Sequence, residues 1–137
     1  MRTLHSNKIF LSKSTISKAG RGVFALKNIR KGEVFESCPV IQIPERQTRL
    51  LQKSELLNYY FLWGKRLKSV AIALGYGSIY NHSYEPNATY RKKMKQGMID
   101  FVAIRNIKKG KEITVNYNFG NPNDKSRLWI KKIKPSK

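Results

Sequence analysis

The sequence predicts a mainly β fold with few short helices, and three observations carry that reading. Short apolar stretches are punctuated by glycine- and asparagine-bearing turns along most of the chain. One strand–turn–strand pattern occurs twice, ALKNIRKGEV at residues 25–34 and AIRNIKKGKEI at residues 103–113. Helical periodicity shows between Pro44 and Gly64, where Leu50, Leu51, Leu57 and Phe61 recur at spacings of one helix face.

Taken in order, residues 8–12 alternate as a first strand and residues 14–17 connect it onward. Gly20 and Gly22 stand just ahead of an apolar strand, a pair that suits either a tight turn or backbone amides facing a ligand. A third glycine and a following helix pattern are missing, so this is no dinucleotide-binding fingerprint. The two repeated units read as similar hairpins closed by Gly32 and Gly110 at positive φ. A helix is expected to begin near Glu45, and Tyr59, Tyr60 and Trp63 crowd its end, either as core packing or as the wall of a narrow channel. Residues 65–68 make a basic loop, and residues 70–74 lead into ALGYGSIYNHSYEPNA. There Gly75 and Gly77 bracket Tyr76, suiting a backbone that approaches a ligand or another strand closely. Asn81, His82 and Ser83 follow, and Pro86 with Asn87 forces a sharp turn. Residues 98–104 and 112–117 supply the last strands.

Composition narrows the classes. At 137 residues the chain is one domain's worth. Its 28 Lys and Arg against 8 Asp and Glu give a formal charge of +20, so polyanions, nucleic acid first, are expected to be attracted. No zinc-finger, helix-turn-helix or aromatic RNA-binding pattern accompanies the charge. One cysteine excludes an intrachain disulfide framework, and with His5 and His82 the only histidines no metal site is expected. The N-terminus shows neither a secretory signal nor a membrane span, which reads as an intracellular soluble protein without membrane attachment.

Three stretches in chain order, Gly20-Arg21-Gly22, then Asn81-His82-Ser83 with Pro86-Asn87, then Glu112-Ile113 with Tyr117, resemble the signature motifs of SET-domain protein lysine methyltransferases. The match spans roughly residues 8–120, and the size is similar to minimal stand-alone members from archaea, bacteria and large DNA viruses. The resemblance implies a fold of several small sheets with a C-terminal pseudoknot, a core over about residues 8–120, and a tail over 121–137 that covers the active site or frays. It implies S-adenosylmethionine as methyl donor, leaving as S-adenosylhomocysteine. Ala19, Gly20, Arg21 and Gly22 match the stretch along the donor's methionine end, and Tyr80, Asn81 and His82 the element that holds its amino-acid end and adenine. Tyr117 matches the catalytic tyrosine, beside the transferred methyl. Tyr90 matches a lysine-channel position, with Tyr59 or Tyr60 as a further wall. Phe119 and Trp129 are candidates to close the donor and lysine sites, since no cysteine-rich segment follows.

Glu112 is read as structural rather than as a general base, because it opens a strand. Val115 and Asn116 stand where many family members have Tyr-Asp, so the number of methyls added is not legible. The implied partner is a basic chromatin or DNA-binding protein, histone-like, met in the cytoplasm or nucleoid of a prokaryote or on chromatin, by a monomer or a homodimer. A catalytically inactive SET fold and a basic nucleic-acid-binding module are the alternatives.

Overall fold

The computed structural model describes residues 6–118 and 121–128. Among the described residues nine strands form two sheets, β1 (Ile9–Lys13), β2 (Arg21–Ala25), β3 (Val34–Ile43), β4 (Tyr60–Trp63), β5 (Ser69–Ala73), β6 (Asn81–His82), β7 (Ala88–Lys93), β8 (Met98–Ala103) and β9 (Glu112–Val115). One sheet runs β1-β2-β9-β6 and the other β4-β5-β3-β8-β7. All pairings are antiparallel except β6 with β9, where Asn81 lies opposite Thr114 and His82 opposite Val115.

Strand β8, MIDFVA, is buried at all six positions because β3 and β7 flank it and side chains cover both faces. Its one charge, Asp100, is held by the Ser37 hydroxyl at 2.7 Å and the Lys93 ammonium at 3.0 Å, as a buried carboxylate requires. Its Ile99, Phe101 and Ala103 share one apolar cluster with Val23, Ala25, Phe35, Cys38, Tyr80 and Ile113, reaching both sheets.

The helix expected from Glu45 onward is not continuous. Residues Glu45–Gln47 form a 3-10 turn, Thr48–Gln52 a short α1, Glu55–Asn58 a second 3-10 turn, and the chain is extended from Tyr60. The apolar spacing found no core to face, since Leu50 is 70 % exposed. Ser54 accepts from the Leu56 amide and starts a new turn, and the aromatic run Tyr60–Trp63 gains a full antiparallel partner in β5.

The repeated units are not hairpins either. Each leaves one sheet and enters the other, β2 to β3 and β8 to β9, and the two turns pair with each other through reciprocal Ile29 and Ile107 bonds of 2.8 Å. The reciprocity extends outward. Gly32 donates to the Ala103 carbonyl and Gly110 to that of Ala25, at 2.7 and 2.8 Å. Lys31 N–H donates to Asn106 Oδ1 and Lys109 N–H to Asn28 Oδ1, both at 2.8 Å. Gly32 and Gly110 each sit at φ of +88°, the left-handed turn the repeat predicts. The sequence repeat is thus a local two-fold that clamps the two sheets together. Because the two asparagines do equivalent work, Asn28→Ala and Asn106→Ala should each lower stability by about 1 kcal/mol. Urea unfolding checks this, and a loss confined to one of them would contradict the equivalence.

Candidate active site

The site is built around the carboxylate of Glu112, first residue of β9. It accepts from Ser14 Oγ at 2.8 Å, from the Thr15 amide and hydroxyl, each at 2.9 Å, and from Asn81 Nδ2 at 2.7 Å. Asn81 Nδ2 also donates to the Arg21 carbonyl at 3.0 Å, so its hydrogens are taken and Oδ1 is the group left to offer. One carboxylate therefore ties the β1–β2 connection to β6 and β9. Gly22 is glycine for the same reason, since a Cβ there would stand 2.3 Å from Glu112 Oε2. These bonds account for the carboxylate as a structural group. Asn87, from the predicted turn, fixes the other side of β9: its Nδ2 donates to the Glu112 carbonyl and its Oδ1 accepts from the Thr114 amide, both at 2.9 Å.

His82, beside Asn81, is 2 % exposed. Its Nδ1 accepts from the Tyr117 amide at 3.0 Å, which places the ring proton on Nε2, and that buried nitrogen has no partner. Burial pulls the imidazole pKa down to about 4. A protonated ring would moreover set a second donor against the Tyr117 amide. His82 lines an open groove with Thr15, Ile16, Ser83, Tyr84, Lys111 and Thr114. Ala19 and Gly20 follow in the adjoining β1–β2 connection, and Arg21 opens β2.

On the far side of His82, ring centroids 5.1 Å apart, stands Tyr117. Its hydroxyl donates to the Tyr80 carbonyl at 2.7 Å, and burial, with Tyr59, Glu112 and Tyr90 nearby, pushes its pKa well above the ordinary tyrosine range. It stays a neutral hydroxyl. Tyr117 lines a cavity of about 90 Å³ with Tyr59, Tyr60, Tyr80, Tyr90, Phe61, Leu62, Val115 and Leu128. Groove and cavity thus meet at the His82–Tyr117 pair. Lys92, two residues beyond Tyr90 on β7, lines the cavity too, and burial pulls its ammonium pKa below the lysine norm. The cavity therefore shifts an amine in the direction of its neutral form.

The structure brings Tyr59, Tyr60, Tyr80, Tyr90 and Tyr117 to one cavity and His82 to the groove beside it. The Tyr80 ring is 1 % exposed, packed against Phe101 at 4.6 Å with its hydroxyl on Glu36, so it offers the site a carbonyl rather than a ring. Phe119 and Trp129 lie outside the described residues. The tail nevertheless reaches the site: Asn116 donates to the Asp124 carbonyl at 2.6 Å, and Asn118 and Tyr84 both donate to that of Ser126, at 2.7 and 3.0 Å. Sequence reasoning missed Ser14, Lys92 and Leu128. For Lys92 a signal existed, since strand alternation sets it on the Tyr90 face.

A strand backbone at Gly22, an unpartnered Nε2 on His82 beside the groove and an aromatic cavity beyond are what the structure brings together. The SET domain family matches residues 20–118, and the chain belongs to that family of S-adenosylmethionine-dependent protein-lysine methyltransferases. It is 31 % identical over 101 residues, 73 % of this chain and 67 % of the relative, to a histone-lysine N-methyltransferase of Schizosaccharomyces pombe specific for H3 lysine-37. It is 29 % identical to the histone-lysine N-methyltransferase ASHH2 of Arabidopsis thaliana, matching 74 % of this chain and 6 % of that much longer protein. A crystal structure of a Plasmodium falciparum protein assigned as a histone methyltransferase is similar at TM-score 0.64 and 33 % identity, covering 81 % of this chain and 93 % of that one. Polycomb repressive complex 2 of Chaetomium thermophilum, in an autoinhibited conformation bound to S-adenosylmethionine, shares the fold at TM-score 0.68 and 21 % identity, over 85 % of this chain and 16 % of that one. Among the described residues no helix is long and apolar enough to cross a membrane.

The residues present fit the methyl donor: an unpartnered buried Nε2–H beside a groove is a donor in want of an acceptor. The depressed His82 pKa has a sign that can be checked. Unfolded, the imidazole takes its proton near 6.5; folded, it resists until about 4. Its contribution to stability is thus complete above the unfolded pKa and lost as pH falls from about 6.5 to about 4. An NMR titration of the His82 ring should show no charging above pH 5, and titration near 6.5 would contradict the buried-acceptor assignment.

Proposed function

We propose that the chain transfers a methyl group from S-adenosylmethionine to the ε-amine of a lysine on a basic, DNA-associated chromatin protein, working as one SET domain. The single observation that carries the reading is the Tyr117 hydroxyl, fixed on the Tyr80 carbonyl at 2.7 Å where the aromatic cavity meets the His82 groove. When bound, the donor supplies an electrophilic methyl on a cationic sulfonium. The protein's part is alignment and presentation of a neutral amine, since in-line transfer needs neither metal nor covalent intermediate.

Each residue then has a task. Tyr59, Tyr60 and Tyr90 would strip water from the entering ammonium and so favour loss of its proton, as the cavity does to Lys92. Tyr117, held neutral, would orient the amine. Asn81 Oδ1, His82 Nε2–H and the Ala19–Gly22 backbone would hold the donor. A basic substrate and a +20 enzyme repel each other in free solution, which supports a substrate met on DNA, where phosphates neutralise both.

The test is transfer of labelled methyl into a basic chromatin-protein fraction, with mass spectrometry on labelled bands. Tyr117→Phe should lower turnover on the order of 100-fold or more while keeping donor affinity. Label that survives in Tyr117→Phe would remove its catalytic role. Donor binding without transfer to any protein would support an inactive SET fold, and absence of donor binding would leave only a nucleic-acid-binding module. Methylation of a DNA-binding protein should be faster with DNA than without it at physiological salt; the reverse order would exclude DNA as the meeting place.

A further inference from the structure

The paired turns, residues 26–33 and 104–111, do more than clamp the sheets. They bring together Lys27, Arg30 and Lys31 from one end of the chain and Arg105, Lys108 and Lys109 from the other, and all six are exposed. Among the described residues none of the six has a salt bridge. The acid of these turns, Glu33, is already paired with Lys8. These six like charges, with Lys111 at the end of the second turn, repel one another, a standing cost that a polyanion would relieve. Their backbones are locked by the reciprocal bonds to Asn28 and Asn106, so the cations project from a rigid base.

We infer that the paired turns are a docking surface for the phosphate backbone of double-stranded DNA. Neither turn contains an aromatic residue, so no platform exists for stacking unpaired bases, and charge alone reads a duplex through its phosphates. The surface adjoins the site: Lys111, last residue of the second turn, lines the His82 groove, and Glu112 follows it directly. At about 3.3 Å per extended residue, Tyr117 lies at most about 20 Å from the turn. Bound DNA would therefore hold a DNA-coating protein within reach of the cavity. The choice of DNA over other polyanions rests on the chromatin reading, but its test needs no methyl transfer.

The test compares binding of a short mixed-sequence DNA duplex, by fluorescence anisotropy over a series of KCl concentrations, for two variants of equal net charge. One carries Arg30→Gln, Lys31→Gln, Lys108→Gln and Lys109→Gln; the other carries Lys53→Gln, Lys65→Gln, Arg66→Gln and Lys68→Gln, exposed cations outside the turns. The first should lose affinity on the order of 100-fold, and its slope of log K against log salt should shrink by about 3 to 4. The second should lose much less of both. Equal losses in the two variants would overturn the assignment in favour of diffuse charge. Tighter binding of an RNA duplex, or of poly-glutamate at matched charge, would overturn it in favour of a different partner. In each case donor binding and turnover on a free substrate stay separately measurable, so the methyltransferase reading does not fall with it.

Discussion

The carboxylate of Glu112 is the interaction on which the rest depends. Four donor groups on three residues, Ser14, Thr15 and Asn81, converge on it from two distant parts of the chain, with no cation in the set. An anion so placed is stabilised by hydrogen bonds alone, and each partner it gathers is thereby positioned. Asn81 is fixed, so the short parallel ladder of β6 with β9 forms; that ladder delivers His82 to the Tyr117 amide, and Tyr117 to its cavity. Removing the carboxylate would leave the Thr15 amide without its acceptor and the Asn81 amide with one acceptor fewer, and the cost would fall where groove and cavity meet.

A second constraint acts at right angles to the first. The reciprocal turns hold the two sheets at a fixed separation by pairing Ile29 with Ile107, while Glu112 fixes the order of strands within the smaller sheet. The groove and the cavity meet where both act, at His82 on β6 and at Tyr117 just beyond β9. The same turns concentrate positive charge at the edge of the groove. One local two-fold thus serves stability and, on the inference above, recruitment.

Much of this was legible in the chain. The mainly β class followed from turn spacing, and Asn81, His82 and Tyr117 were recognisable because their order matched a family pattern. What failed did so for physical reasons. The repeated units were read as hairpins because local sequence shows a turn but not which sheet each strand joins; that is decided by partners far along the chain. The helix from Glu45 was read from spacing alone, and spacing cannot reveal that Leu50 has nothing to pack against. Ser14 could not be found at all, since a serine in a loop carries no mark of a carboxylate 98 residues away. Tyr80 was read as part of the donor-binding element, yet its ring is buried and its hydroxyl turns to Glu36, a partner no periodicity announces.

The most direct measurement is a double-mutant cycle on Asn81→Ala and Glu112→Gln, reading unfolding free energy and, by calorimetry, S-adenosylmethionine affinity in the same four proteins. If the junction organises the site, the two substitutions couple by about 1 kcal/mol or more, and either alone weakens donor binding about as much as both together. Additive effects on stability, with donor affinity unchanged in Glu112→Gln, would contradict the account.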